Sequence, residues 1–169
     1  MTAPFCFGIA GWKNSGKTSL LAGLVSELAG RDLTVSTVKH AHHSFDLDVK
    51  GSDSYKHREA GAREVMLVSE NRWAIQHELG NQPEPDFETV VQKLSPCDIV
   101  LVEGYKREKI PKLEIIAPES IHESLWSSDS TIRAIATDKQ LAECSLPQFA
   151  RSDIIAIADF ILSQPEYRS

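Results

Sequence analysis

The sequence has few cysteines, no long apolar run and no excess of basic residues, and each shortage excludes a class of protein. Its three cysteines, Cys6, Cys97 and Cys144, are widely separated and form no CxxC pair. This pattern is typical of reduced thiols in a cytoplasmic protein rather than a disulfide framework. No apolar run approaches the roughly 20 residues of a membrane span, and the N-terminus lacks the features of a signal peptide. We therefore expect a soluble, cytoplasmic protein without a membrane partner.

The charge balance is acidic, with 18 Lys and Arg against 24 Asp and Glu and a formal net charge of −6. This balance argues against a non-specific nucleic-acid binder, because such proteins show a basic surface. The 41% hydrophobic and 25% charged residues are close to the average of globular proteins. A chain of this length fits one domain with a sizeable core, so we predict a single domain over residues 1–169 and no nucleic-acid partner.

Apolar runs alternate with helical patterns along the chain. Residues 5–10 predict a buried strand, a helix follows up to Gly30, and residues 33–38 predict a second strand. This strand–loop–helix–strand order is a βαβ unit, which implies parallel pairing. Further strands are predicted at residues 98–102, 113–117 and 132–137, helices at 53–60, 86–94 and 154–162, and a hairpin at 64–69 and 72–77. We predict a three-layer α/β fold: a mostly parallel sheet with helices on both faces and a short antiparallel β extension.

The segment GWKNSGKT, residues 11–18, matches the GxxxxGK[ST] pattern of a phosphate-binding loop (P-loop) without a gap. Gly11 and Gly16 permit a tight turn whose N–H groups converge on an anion, and the following helix adds the positive end of its dipole. Lys17 is expected to reach the β- and γ-phosphates, and Thr18 to offer its hydroxyl to Mg²⁺. We therefore predict a P-loop NTPase fold whose nucleotide contacts come from Gly11, Lys13, Asn14, Ser15, Gly16, Lys17, Thr18 and Ser19.

A P-loop needs a carboxylate across the site to orient Mg²⁺ and its waters. Glu103 ends a predicted buried strand, at the edge where an open parallel sheet binds its ligand. We therefore predict that Glu103 is the carboxylate that orients Mg²⁺. Lys17 and Glu103 are the candidate catalytic residues. Asp98 begins the same strand and should lie at the opposite edge. The polar segment 39–61 follows the second strand and should also lie over the ligand edge. It adds three candidate magnesium ligands, Asp46, Asp48 and Asp53.

Three features of the sequence leave alternatives open. Guanine-specific loops usually carry an [NT]KxD signature, and no clean copy is present; Asp138 is the candidate guanine contact, and a solvent-exposed acid is an equally good interpretation. His40, His42 and His43 either belong to a mobile loop that contacts phosphate or a partner, which we favour, or bind a transition metal. Lys13, four positions before the phosphate lysine, either adds charge near the phosphates or is solvated.

Taken together, these stretches resemble the molybdopterin-guanine dinucleotide biosynthesis protein B (MobB) family of GTP-binding P-loop proteins. The resemblance is carried by AGWKNSGKTSL, TVKHAHH, DLDVKGSDSYKHREAGA and DIVLVEGYKREKIPKLEI, and it covers nearly the whole chain. It implies residues 11–18 as the phosphate site, Glu103 as a Walker B-like acid, and Asp53 with Ser54 as the family's DS pair. Val49-Lys50 precedes Gly51 where many relatives are expected to have a proline, so the course of this loop departs from the family pattern.

The resemblance implies an accessory role in molybdenum cofactor biosynthesis. The chain would be the GTP- and Mg²⁺-binding adapter of a MobA-like guanylyltransferase that attaches GMP to molybdopterin, and a homodimer with at most a slow GTPase activity. Whether hydrolysis is required, and whether molybdopterin touches this chain, stays open; residues 64–77 are candidate pairing elements for the dimer. Two alternatives use the same fold: a small-molecule kinase or ligase, and a nickel-type metal-delivery GTPase that uses the histidines at 40–43.

Overall fold

The computed structural model describes residues 4–41 and 45–167, and the chain divides into two compact units. The first unit comprises Met1–His40 and Phe87–Ser169, and the second comprises Ala41–Asp86. The single-domain prediction stays a prediction. Within the described residues, no helix combines the length and the apolar character needed to cross a membrane.

The elements in chain order are β1 (Phe5–Ala10), α1 (Lys17–Ala29), β2 (Val35–Lys39), α2 (Asp53–Glu59), β3 (Glu64–Val68), β4 (Trp73–His77), α3 (Phe87–Gln92), β5 (Ile99–Glu103), β6 (Lys112–Ile116), β7 (Ile132–Thr137), β8 (Gln148–Phe149) and α4 (Ile154–Leu162).

The first unit is built on a six-stranded sheet in the order β2-β5-β1-β6-β7-β8, and all of its strand pairs are parallel. The apolar runs predicted as strands outside the hairpin all lie in this sheet, which confirms the α/β fold. Glu103 at the end of β5 pairs with Ile9 on one side and with Lys39 on the other. The carboxyl ends of β1, β2 and β5 therefore lie at one edge of the sheet, where the P-loop also begins.

Helices cover both faces of the sheet, as predicted. On one face α1 and α4 bury Leu24 and Ile157 against strand residues such as Phe7. On the other face the α3 region packs Phe87 and Val90 against the valines of β2 and β5. The fully buried strands show unbroken apolar runs rather than alternation, because both of their faces are covered.

The second unit contains α2 and the antiparallel β3–β4 hairpin. The helix α2 begins at the predicted residue Asp53, but its cap is Ser52 rather than the predicted Asp53-Ser54 pair, because the Ser52 hydroxyl accepts the N–H of Tyr55. Among the described residues of this unit, Ser54 and Val65 are the ones that are buried. The hairpin confirms the predicted antiparallel extension.

Candidate nucleotide-binding site

The P-loop joins β1 to α1 and contains backbone conformations that side chains disfavour. Gly11 has a φ of 147°, Asn14 of 63° and Gly16 of 98°. A Cβ on Gly11 would lie 2.6 Å from the carbonyl oxygen of Ile115 and 2.7 Å from Ser15 Oγ, so a larger residue at position 11 would force the loop away from β6. Glycine is therefore required here by both conformation and space.

The loop is compact and closes on itself. The N–H of Ser15 donates to the carbonyl of Trp12 (3.2 Å), and the Lys17 ammonium donates to the same carbonyl (2.7 Å). Ser15 is 2% exposed, and its hydroxyl has no hydrogen-bond partner among the described residues. The first hydrogen bond within α1 joins the N–H of Leu20 to the carbonyl of Gly16, so the preceding N–H groups point out of the helix end. This geometry is that of an anion-binding helix start.

Glu103 lies directly across from the first turn of α1. The Thr18 hydroxyl is 3.5 Å from Glu103 Oε2, and the Lys39 ammonium is 3.3 Å from Oε1; the Glu103 side chain is 12% exposed. Hydroxyl and carboxylate oxygens are the hard ligands that Mg²⁺ prefers, so this donor pair fits the metal predicted for the site. Gly104 follows with a φ of 94°, and a Cβ there would lie 2.8 Å from the Cβ of His40.

Positive charge is concentrated around the loop. Burial lowers the pKa of Lys17; the Glu103 carboxylate opposes this shift, and Lys106 and Lys39 reinforce it by repulsion. The Lys106 ammonium lies 4.5 Å from the centre of the Trp12 ring, a cation–π contact. The sequence analysis did not identify Lys39 and Lys106 as site residues. The available signal is their position near strand ends at the ligand edge, since Lys39 is the last residue of β2 and Lys106 follows β5 by three residues.

Asp138 directly follows β7, which lies on the opposite side of β1 from the strand that ends at Glu103. Its Oδ2 accepts a hydrogen bond from Arg151 Nε at 2.8 Å, and Arg151 Nη1 donates to the carbonyl of Ser15 at 3.1 Å. A cavity of about 480 Å³ opens between these side chains and the first turn of α1, and its lining includes Gly16, Ser19, Leu20, Asp138, Arg151 and Ile154. The predicted base contact and the predicted P-loop residue Ser19 thus meet at one cavity, and Arg151 joins them unforeseen.

A second cavity, of about 210 Å³, lies beside Trp12 and Ser15 and reaches Glu114 on β6. Glu114 is 1% exposed, and burial raises its pKa against the opposing effect of the N–H groups of Leu125 and Trp126, which donate to its two oxygens at 2.8 and 2.9 Å. This carboxylate anchors the loop after β6. The sequence pattern of β6 gave no sign that an acid in an apolar strand would point inward.

The remaining predicted site residues lie elsewhere or outside the described residues. Asp53 is exposed at the start of α2 in the second unit, and its carboxylate contacts Lys56; its role at the metal stays a prediction. Asp46 and Asp48 both accept hydrogen bonds from Arg58. Lys13 is exposed.

The histidine cluster is only partly described. His40 lies against the Tyr105 ring, with ring centres 4.7 Å apart, whereas His42 and His43 fall outside the described residues. Across residues 4–41 and 45–167, no group of three or more His, Cys, Asp or Glu side chains is placed to hold a metal ion. Asp98 lies at the amino end of β5 and binds Thr34, so the prediction that it faces the opposite edge is confirmed.

Comparisons with known proteins agree with this architecture. The model of the family described as MobB, molybdopterin guanine dinucleotide synthesis protein B, matches residues 6–138. The chain is 38% identical to the molybdopterin-guanine dinucleotide biosynthesis adapter protein of Haemophilus influenzae, covering 91% of this chain and 85% of that one. It is 34% identical to the protein of the same name from Escherichia coli, covering 90% and 89%.

Solved structures share the fold. A crystal structure of molybdopterin-guanine biosynthesis protein B matches 94% of this chain and 99% of its own, at 25% identity and a TM-score of 0.74. The MobB structure from Bacillus subtilis matches 95% and 96%, at 24% identity and a TM-score of 0.72. The chain therefore belongs to the MobB family.

Proposed function

We propose that this chain binds GTP with Mg²⁺ and acts as an adapter in the synthesis of molybdopterin guanine dinucleotide. Its relatives from Haemophilus influenzae and Escherichia coli carry the name of adapter proteins in that synthesis. One observation supports the nucleotide-binding part of the proposal: the Thr18 hydroxyl lies 3.5 Å from the Glu103 carboxylate, beside the P-loop. This is the pairing of loop hydroxyl and strand-end acid that a Mg²⁺-nucleotide site requires.

Each residue of the site has a distinct role in the proposal. The N–H groups of the P-loop and the Lys17 ammonium hold the phosphates, and Thr18 and Glu103 hold the metal, with Asp53 as a further proposed ligand. Lys39 fixes the orientation of Glu103 through its 3.3 Å contact. When bound, Mg²⁺ neutralises charge on the β- and γ-phosphates. Asp138 contacts the base.

The adapter role assigns the chemistry of GMP attachment to a partner. In the proposal, a MobA-like guanylyltransferase in the cytoplasm attaches GMP to molybdopterin, and the GTP-loaded homodimer of this chain assists it. Hydrolysis by the chain alone is slow, because fast P-loop GTPases rely on a glutamine that orients water and an arginine that stabilises charge. The sequence offers no evident residue for either task.

Substituting Lys17→Ala tests the site. The variant loses a charged hydrogen-bond donor to the phosphates, and we expect GTP affinity to fall by about 100-fold or more in Mg²⁺ buffer. Isothermal titration calorimetry with GTP and with ATP measures this, and circular dichroism checks that the fold is intact. The matched control is Lys93→Ala, an exposed lysine just after α3, which should bind GTP as the wild type does.

The result that would refute the site is wild-type GTP affinity in the Lys17→Ala protein. A clear preference of the wild type for ATP would leave the P-loop in place and overturn the GTP part of the proposal. A third measurement is calorimetry without Mg²⁺, in which the affinity for GTP should fall because the metal is absent.

A further inference from the structure

We propose that Arg151 selects guanine together with Asp138, so that base specificity in this chain depends on an ion pair rather than on a single acid. The inference rests on the proposed function, because it takes the P-loop to bind a purine nucleoside triphosphate. It adds a specificity-determining residue to that function, and it defines the cavity beside α1 as the pocket for the base.

The position of the cavity suits a nucleoside. It is lined by Gly16 and Ser19, at the start of α1, where the phosphate chain must leave the P-loop, and by Asp138 and Arg151 on the far side. Its volume of about 480 Å³ falls in the range of roughly 300–1,000 Å³ that is usual for small-molecule sites. A purine whose phosphates occupy the loop therefore has room between the helix and the ion pair.

The two side chains are held side by side by one hydrogen bond, from Arg151 Nε to Asp138 Oδ2 at 2.8 Å. Arg151 Nη1 is used by the carbonyl of Ser15. Within the described residues, Asp138 Oδ1 and Arg151 Nη2 make no hydrogen bond. Both side chains are partly exposed, 42% for Asp138 and 30% for Arg151, so a ligand in the cavity can reach them.

The pair presents an acceptor beside a donor, and this is the complement of guanine. Guanine carries N1–H and the 2-amino group as donors and O6 next to them as an acceptor, so the carboxylate receives the N–H groups while the guanidinium donates to O6. Adenine reverses the pattern, with N1 as acceptor and the 6-amino group as donor. Its binding would place acceptor against acceptor at Asp138 and donor against donor at Arg151, which is unfavourable.

Arg151 also fixes where Asp138 points. The planar guanidinium presents its donors in one rigid fork, and this fork is anchored on the backbone of the P-loop through Ser15. The base contact and the phosphate contact are thus tied to the same loop. Asp138 without Arg151 would be a solvent-exposed acid with no fixed direction.

The experiment compares GTP with ATP on the full chain in Mg²⁺ buffer, by calorimetry for GTP and by competition against GTP for the weaker ATP. For Arg151→Ala we expect GTP affinity to fall by about 10- to 100-fold while ATP affinity changes by less than about twofold, so the selectivity collapses. The matched control is Arg133→Ala on β7, an exposed arginine paired with Glu166, which should keep the wild-type ratio.

A second variant reports on Asp138 directly. Asp138→Asn replaces an acceptor with an amide donor, so we expect it to lose preference for GTP and to gain affinity for xanthosine triphosphate, whose 2-oxo group accepts a hydrogen bond. Circular dichroism establishes that each variant is folded. If Asp138→Asn kept the wild-type preference for GTP over xanthosine triphosphate, the base pocket would lie elsewhere.

The outcomes separate this inference from the proposed function. If Arg151→Ala retained the GTP to ATP ratio, or lost affinity for both nucleotides equally, Arg151 would only support the loop and the inference would be overturned, with the proposed function intact. If the wild-type protein bound no GTP, or Lys17→Ala bound it normally, the proposed function itself would fail.

Discussion

Glu103 and Asp98 stand at opposite ends of one strand, and their surroundings decide what each can do. Glu103 at the carboxyl end contacts Thr18 and Lys39, and its own carbonyl accepts the N–H of His40 at 2.9 Å. Asp98, just before the amino end, instead binds Thr34, which immediately precedes the neighbouring strand β2. The first acid is therefore available for a metal ion, whereas the second holds two strands together.

Asp98 is expected to stabilise the fold in a pH-dependent way. The hydroxyl of Thr34 first, and its N–H second, lower the pKa of Asp98 from 3.8. Because the folded pKa lies below the unfolded one, the stabilisation is complete above the unfolded pKa and is lost as pH falls through the folded pKa. We predict that Asp98→Asn lowers the free energy of unfolding at pH 7 and that its deficit shrinks below about pH 4.

Urea unfolding at pH 7 and at pH 3 measures the deficit. Asp32→Asn is the matched control, since the Asp32 side chain is exposed and makes no hydrogen bond among the described residues; it should stay close to the wild type at both values. An Asp98→Asn deficit of the same size at pH 3 and pH 7 would contradict the assigned role of the carboxylate.

At the scale of elements, the β3–β4 hairpin has one open apolar face, and its other face buries Val65. The pairs Met66–Ile75 and Val68–Trp73 lie on the same face, because directly opposed residues of an antiparallel pair point the same way. All four side chains are exposed, from 44% at Ile75 to 73% at Val68. Val65 points to the other face and is buried, on the strand that α2 contacts.

We propose that the chain forms a homodimer through this open face, because a two-stranded sheet is at best marginally stable alone and the apolar face is continuous. Met66→Lys puts a charge at its centre, and we predict that the wild type is a dimer and this variant a monomer. Light scattering after gel filtration measures the mass at a fixed concentration. Leu67→Lys, on the same strand but the opposite face, is the matched control and should remain dimeric. A dimeric Met66→Lys protein would place the interface elsewhere.

Local patterns predicted the elements well, and contacts distant in sequence set the exceptions. The bounds of β1, β7 and α4 match the prediction because each has a strong apolar pattern with a clear stop. The strand predicted from residue 33 begins at Val35, since Leu33 donates its N–H to the carbonyl of Leu28 and belongs to the end of α1. β8 was missed: a two-residue strand has no period, and it exists through its pairing with β7.

The same distinction applies to the site. The approach of Glu103 to the loop at Thr18 was predictable, because it depends on one motif and one strand end. The contact between Arg151 and Ser15 joins residues 136 positions apart, and no local pattern can indicate it. The inward-facing Glu114 is a similar case, because the two N–H groups that hold it come from a loop rather than from its own strand.

For the whole molecule, the placement of four parts of the candidate site within one unit has a thermodynamic consequence. The P-loop, Glu103, Asp138 and Arg151 all belong to the first unit, although that unit is assembled from two separate stretches of chain. A ligand that bridges the loop, Glu103 and Asp138 therefore ties both stretches together in the folded state. Because the unfolded chain cannot form this site, nucleotide binding must stabilise the folded protein.

We predict that GTP with Mg²⁺, at a free concentration of 100 times its dissociation constant, adds about 2.7 kcal/mol to the free energy of unfolding. For a chain of this size that corresponds to a rise in Tm of about 5–10 °C. Differential scanning calorimetry with and without nucleotide measures the shift. The Lys17→Ala protein, whose GTP affinity is expected to be at least about 100-fold lower, should gain no more than about 0.4 kcal/mol at the same GTP concentration. A shift in Lys17→Ala as large as in the wild type would mean that GTP stabilises the protein through some other surface.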